Sequence, residues 1–290
     1  MLQQIFLTTI ALPLAMGAVI SLLGKGKSAT AVALTALLVP VAAAIASVAI
    51  EGLPPLPPVA AKQKFPLVLL AGGIVFAPLG LTLKQWPSRV VGALAGVISL
   101  AAPAWWLGRN VLAANPVKAA TLGAVLLIVA IVLPLVSAKR SPTADGVPPA
   151  AMPAALLWVA IATALCAIFG GYIGMAQMNG ALAALVGGWL LVRYIGYLRG
   201  DDEAFALKGI AAFAFVWTAA AALAMTVLFA PSAAPAALVL ASLPLAAALV
   251  LSSRRIAFAS QPRALRPLAT GVATAVPAAL AILIAALLQA

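Results

Sequence analysis

Ten apolar runs, separated by short polar breaks, cover most of the chain. A membrane-spanning helix needs about 20 mainly apolar residues. The runs meeting that length are Ile5–Leu23, Ala29–Ile50, Phe65–Leu83, Val90–Gly108, Ala119–Ala138, Met152–Phe169, Met175–Val192, Gly209–Phe229, Ala236–Leu251 and Leu268–Gln289. The breaks at Gly170–Gly174 and Ala230–Pro235 carry no charge. Fusion across either would reduce the count to nine spans, and across both to eight. No Lys or Arg precedes the first run and no small-x-small cleavage pattern follows it, so it is expected to be a retained first helix. The pattern predicts an all-α bundle of about ten transmembrane helices. The connecting loops are too short for a soluble domain, so residues 1–290 are expected to form one integral membrane domain.

Composition agrees with that pattern. Of 290 residues, 66% are hydrophobic and 8% charged, with a mean hydropathy of +1.20. Soluble domains carry about 45–50% apolar and about 25% charged residues. Too little polar surface exists to coat a water-soluble fold, and the lipid bilayer is the expected surroundings.

Charge sets the expected orientation. The net charge of +12 would suggest nucleic acid in a soluble chain, but here the basic residues fall in short loops between apolar runs. Lys25, Lys27, Lys84, Arg89, Lys139, Arg140, Arg193, Arg199, Lys208, Arg254, Arg255, Arg263 and Arg266 fall on one side. Only Lys62, Lys64, Arg109 and Lys118 fall on the other. The richer side is expected to be cytoplasmic, which puts both termini outside and implies an even number of helices. No nucleic-acid partner is expected, and the basic loops favour anionic lipid headgroups.

The same composition narrows the chemistry. The chain has no histidine, which removes histidine-bound haem, copper and zinc and histidine acid–base catalysis. Cys166 is the single cysteine, so no intramolecular disulfide or iron–sulfur cluster is expected. The acids are Glu51, Asp145, Asp201, Asp202 and Glu203, all assigned to loops. Proton relays, voltage sensors and carboxylate-coupled pumps place charge within the membrane. No run carries an interior charge, and Arg193 sits where it can snorkel to the cytoplasmic face. There is no P-loop, nucleophile elbow or zincin helix. No catalytic, cofactor-binding or metal-binding residue is predicted.

Several local features have both a functional and a packing reading. Glu51–Pro58 reads EGLPPLPP, and Pro54, Pro55, Pro57 and Pro58 favour extended polyproline II backbone. It serves either as a stiff connector or as a strap that docks a partner. The connector is the preferred reading, and Lys62 and Lys64, which follow on the basic-poor side, add a little to the docking case. Gly170–Gly188 reads GGYIGMAQMNGALAALVGG. Gly170 and Gly174 form a GxxxG pair, and Gly180, Ala184 and Gly188 form a small-residue stripe that lets helices approach closely. Gln177 lies on that stripe, as a polar niche for a neutral ligand or as a helix contact. Asn179 points to another face and is expected to meet interfacial water or headgroups.

Asp201, Asp202 and Glu203 look like a cation site, but their place before the eighth helix explains them more simply: Asp201 or Asp202 is expected to cap it, and the acids favour its macrodipole. Trp86, Trp105, Trp106, Tyr194 and Tyr197 fit interfacial aromatic belts, whereas Trp158, Trp189 and Trp217 lie deeper. Pro13, Pro40, Pro78, Pro103, Pro134, Pro244 and Pro277 fall inside runs and are expected to kink them. Their placement does not repeat between the two halves.

The residues EGLPPLPPVAAKQK (Glu51–Lys64) and the Gly170–Gly188 stretch resemble functionally uncharacterised bacterial polytopic membrane proteins of similar length. That resemblance implies an inner-membrane helical protein and carries no activity. Length and helix number also resemble the drug/metabolite transporter superfamily. That family would require an internal repeat and cytoplasmic ends, and this chain departs from both. The expected function is a non-enzymatic subunit or scaffold of a larger membrane complex, with other membrane subunits as partners. The alternative is a permease for a neutral or lipid-like substrate.

Overall fold

A computed structural model describes residues 2–26, 28–83, 88–137, 150–207, 209–253 and 261–288. Lys27, Lys84, Trp86, Lys139, Arg140, Asp145, Lys208, Arg254 and Arg255 lie outside these, as do the expected helix ends at Ala138 and Gln289.

Ten apolar helices run through the described residues. They are α1 (Gln3–Leu23), α2 (Ala29–Glu51), α3 (Ala61–Thr82), α4 (Arg89–Ala114), α5 (Pro116–Ser137), α6 (Ala151–Phe169), α7 (Ile173–Leu198), α8 (Gly209–Phe229), α9 (Pro235–Ser253) and α10 (Leu265–Leu287). The chain is an all-α polytopic helical bundle of the type found in integral membrane proteins.

The helix ends follow from local chemistry. Ser28 and Ser88 cap α2 and α4, their hydroxyls accepting the Ala31 and Val91 amides at 3.1 Å each. α2 stops at Gly52, whose φ of 86° suits glycine. α3 begins before its apolar run because the Gln63 side chain accepts the Val59 and Ala60 amides, both at 3.0 Å. Asn115 ends α4 and starts α5, its side chain accepting the Lys118 amide at 3.1 Å. Pro116 takes the first position of α5, where a missing amide costs nothing. α4 continues past Gly108, the expected end, through non-helical backbone (φ −126°, ψ 16°). α7 likewise runs on beyond Val192 to Leu198.

Both uncharged breaks are real turns. α6 closes with the Tyr172 amide donating to the Ala167 carbonyl at 2.8 Å, and Gly171 takes a φ of 73°. The Ser232 amide, in the α8–α9 turn, donates to the Gly170 carbonyl at 3.2 Å, so the two turns dock on each other.

α8 is the axis of the bundle. Every residue from Ile210 to Leu228 is buried. α2, α3, α4, α5, α9, α6 and α7 form a ring around it, α1 lies against α2 and α7, and α10 lies against α6 and α9. In a bilayer, lipid is as apolar as the core, so close backbone approach and van der Waals contact hold helices together. The alanine-rich sequence of α8 permits that approach on all sides. Its Thr218 and Thr226 hydroxyls donate to the Ala214 and Ala222 carbonyls at 2.7 and 3.1 Å, so they demand nothing of the neighbours. The two halves are arranged differently: α3, the counterpart of α8 by order, stands in the ring.

Two prolines show how the bundle absorbs lost backbone bonds. Pro13 follows a wide π turn at Leu7–Ala11, which relieves the clash of its ring with the preceding turn. Pro103 leaves the Ser99 carbonyl without its helical donor, and the Trp217 indole supplies one at 3.2 Å.

Candidate functional site

The end of the bundle with few basic residues holds a polar cluster at Glu51, Lys62 and Tyr172. Glu51 ends α2, and its carboxylate accepts from Lys62 in the first turn of α3 at 3.0 Å. Glu51 Oε1 also occupies the space that a Cβ on Gly174 would need, at the positive end of α7. Glu51 thus ties three helices together. Tyr172 stands beside it just before α7, and burial, reinforced by the Glu51 charge, raises its phenol above the ordinary value of 10.0. Glu51, Lys62 and Tyr172, with Ser47, Phe65 and Met225, line a crevice of about 10 Å³. That is about the space of one water.

A second crevice, also about 10 Å³ in its depth, lies between α3 and α4 above α8. Phe65 and Met225 line both crevices and divide them. Here the wall is hydrocarbon apart from Ser99, whose carbonyl Trp217 occupies. Trp217 also packs edge-on against Phe76, with ring centroids 5.1 Å apart.

The basic exceptions at this end have structural partners. Lys62 holds Glu51. Lys64 lies 5.1 Å from the centroid of the Trp106 ring. Lys118 donates to the Leu228 and Ala230 carbonyls at 2.9 and 3.0 Å, capping the negative end of α8. The three lysines on the basic-poor side therefore each have a packing reason, whereas Arg109 is exposed.

The small-residue stretch is split between two places. Gly170 and Gly174 do not share a helix face, because the α6–α7 turn separates them; the first packs on Ala233 and the second under Glu51. Gly180 and Gly188 face α1, with Ala184 half-buried between them. A Cβ on Gly188 would strike the Leu14 carbonyl, and one on Gly17 would strike the Leu185 carbonyl. These reciprocal glycines set the closest crossing of α1 and α7. Gln177 is half-buried and makes no side-chain hydrogen bond among the described residues.

Asn179 departs from expectation. It is buried, not interfacial, and its Nδ2 donates to the Met175 carbonyl at 2.8 Å and to Thr226 Oγ1 at 3.3 Å. It thereby links α7 to the axial helix. In the proline loop, Pro54 and Pro58 are half-buried and Pro55 and Pro57 are exposed. The apolar Leu53, Leu56 and Val59 before, between and after them are 87%, 84% and 79% exposed.

The opposite end differs from expectation in two ways. Asp201 and Asp202 do not cap α8, which starts only at Gly209. Asp201 accepts the Glu203 amide at 3.1 Å within the preceding turn, and Asp202 pairs with Arg263 at 2.7 Å. Tyr197 is buried, not interfacial, packed on Phe205 and under the Arg263 guanidinium. Arg193 lies over Trp189 and donates to the Gly24 carbonyl at 3.0 Å.

Among the described residues no group of three His, Cys, Asp or Glu side chains comes together, and Cys166 is buried. The chain matches no protein-family model, no curated protein and no solved structure with which it was compared.

Proposed function

We propose that the chain is a non-enzymatic integral membrane subunit or scaffold of a larger assembly in the cytoplasmic (inner) membrane of a bacterial cell. The interior of the bundle carries this reading. Ligand pockets span about 300–1,000 Å³ and converge a few polar groups on their contents. The crevices beside α8 each offer about 10 Å³. Around the axial helix Asn179, Trp217, Thr218 and Thr226 are already used in bonds within and between helices, and the buried Ser21 hydroxyl and Trp189 indole, which have no hydrogen-bond partner among the described residues, line neither crevice. The unlike arrangement of the two halves also lacks the symmetry on which many carriers alternate access.

Leu53, Leu56 and Val59 support a partner contact, because they project apolar side chains from a loop beyond the helix ends. The matching partner is another membrane subunit with an apolar surface at that level. The test replaces all three with serine and measures co-purifying chains by quantitative mass spectrometry after mild extraction. The reading expects a stoichiometric partner that is lost from the variant. A partner-free wild type, or a partner indifferent to the loop, would count against it.

The second reading, a permease for a neutral or lipid-like substrate, draws support from the apolar crevice between α3 and α4. On that reading Gln177→Leu reduces uptake while folded protein is unchanged. Unaltered uptake removes Gln177 from the path.

A further inference from the structure

The ring around α8 is least closed between α3 and α4. Those two helices touch over less of their length than any other adjacent pair in the ring. The crevice fills that gap. Its enclosed depth is only about 10 Å³, so it is a shallow groove on the lipid-facing side and not a closed pocket. Its floor includes Ala221 and Ala224 of α8, and its wall includes Ala104 and Leu107 of α4. The small side chains give the groove its depth. Because α8 is sheathed elsewhere, the mouth opens sideways, toward the hydrocarbon of the bilayer. The polar groups of Ser99 and Trp217 in the lining are already bonded, the indole to the Ser99 carbonyl and the Ser99 hydroxyl to the Gly96 carbonyl, so a hydrocarbon chain in the groove strands neither.

The outer end of the groove is cationic. Lys64 directly precedes Phe65, which lines the groove, and its ammonium is held 5.1 Å from the Trp106 ring across the seam. Trp106 adjoins Leu107, also in the lining, and exposed Arg109 follows at the Gly108 kink. Glu51, the acid at this end, is engaged by Lys62. Neither Lys64 nor Arg109 has a carboxylate partner among the described residues. Exposed Trp105 and Trp106 place this end at headgroup depth.

We infer that the α3–α4 seam is a binding site for an anionic phospholipid, with one acyl chain in the groove and the phosphate between Lys64 and Arg109. Two cations without an acid match a headgroup of net negative charge and disfavour a zwitterionic one. The site stands independently of the subunit proposal, since a lone bundle and a partnered one would both present it.

The test uses the full chain in nanodiscs carrying phosphatidylglycerol or phosphatidylcholine with a photoreactive diazirine on one acyl chain. Crosslinks to α4 are compared with those to the exposed Val272, Val276 and Leu280 stripe of α10, which samples unselected lipid. The expected result is α4 labelling above the α10 stripe with phosphatidylglycerol. The preference over phosphatidylcholine should be roughly fivefold per cation. Lys64→Gln with Arg109→Gln, exposed-end changes that leave the groove intact, should abolish that preference, and Ala104→Leu should reduce the seam labelling itself. Circular dichroism and retained α10 labelling verify that each variant is folded. Labelling of α4 no higher than of α10, equal labelling by the two lipids, or a preference that survives the double substitution would overturn the inference.

Discussion

Gly187 and Gly188 are adjacent on α7, yet the bundle treats them oppositely. A Cβ on Gly187 meets nothing within 4 Å. A Cβ on Gly188 would land on the Leu14 carbonyl of α1, with the carbonyl carbon at 2.8 Å and the Ala18 amide nitrogen at 3.1 Å. These obstacles are backbone atoms, so no side-chain rotation makes room and α1 must lift away from α7. Overpacking of this kind costs about 1–3 kcal/mol. Opening a gap of about 0.5–1 Å also forfeits about a quarter to a half of each dispersion contact across it. Against this, Gly→Ala in a helix gains up to about 1 kcal/mol. Gly187→Ala is therefore expected to be neutral or slightly stabilising, and Gly188→Ala to lose about 1–3 kcal/mol. Cys166, the single cysteine and buried, provides the assay. A thiol-reactive fluorophore labels it as the bundle unfolds on heating. At about 2–4 °C per kcal/mol, Gly188→Ala should melt several degrees below wild type and Gly187→Ala at or above it. Equal melting of the two variants would refute the α1–α7 crossing as described.

Further expectations rest on single contacts. Trp217→Phe should cost about 1–3 kcal/mol by leaving the Ser99 carbonyl unbonded. The cost should shrink in a Pro103→Ala background, where a helical amide returns to that carbonyl; the same thermal assay gives the double-mutant cycle. Lys118→Met removes two hydrogen bonds to the end of α8 and should destabilise by about 1–3 kcal/mol, whereas Arg109→Met, on an exposed side chain, should not. Tyr172 is raised in the folded state by burial and by Glu51. Its contribution is complete below the ordinary value of 10.0 and is lost as pH rises through the higher folded value. Melting should therefore fall as pH rises from 10.0 toward that higher value, by less in Glu51→Gln, and ultraviolet titration should show the phenol ionising later folded than unfolded.

The helices were legible because each is a long apolar run, and the uncharged turns because Gly170, Gly171, Pro231 and Pro235 punctuate them. Boundaries were misread where a helix carries polar residues inside its ends: Lys62 to Lys64 in α3, and Arg193 and Tyr194 in α7. Asn179 was read as interfacial because helical phase says only that it points away from the glycine stripe. What it points toward, Thr226 of α8, is set by tertiary packing. The role of Lys118 was equally hidden, since its partners lie more than 100 residues away. The axial position of α8 had a faint trace in its many alanines, but most of the other runs are alanine-rich too. The α3–α4 groove left no mark, because a gap between helices is a property of arrangement.

The most direct measurement of the central proposal is the mass of the intact tagged particle, extracted gently from native membranes and weighed without dissociation. The subunit account predicts a defined assembly in which this 29.0 kDa chain accompanies other chains in fixed ratio. A particle whose mass is that of one or two copies of this chain, with lipid alone, would contradict it.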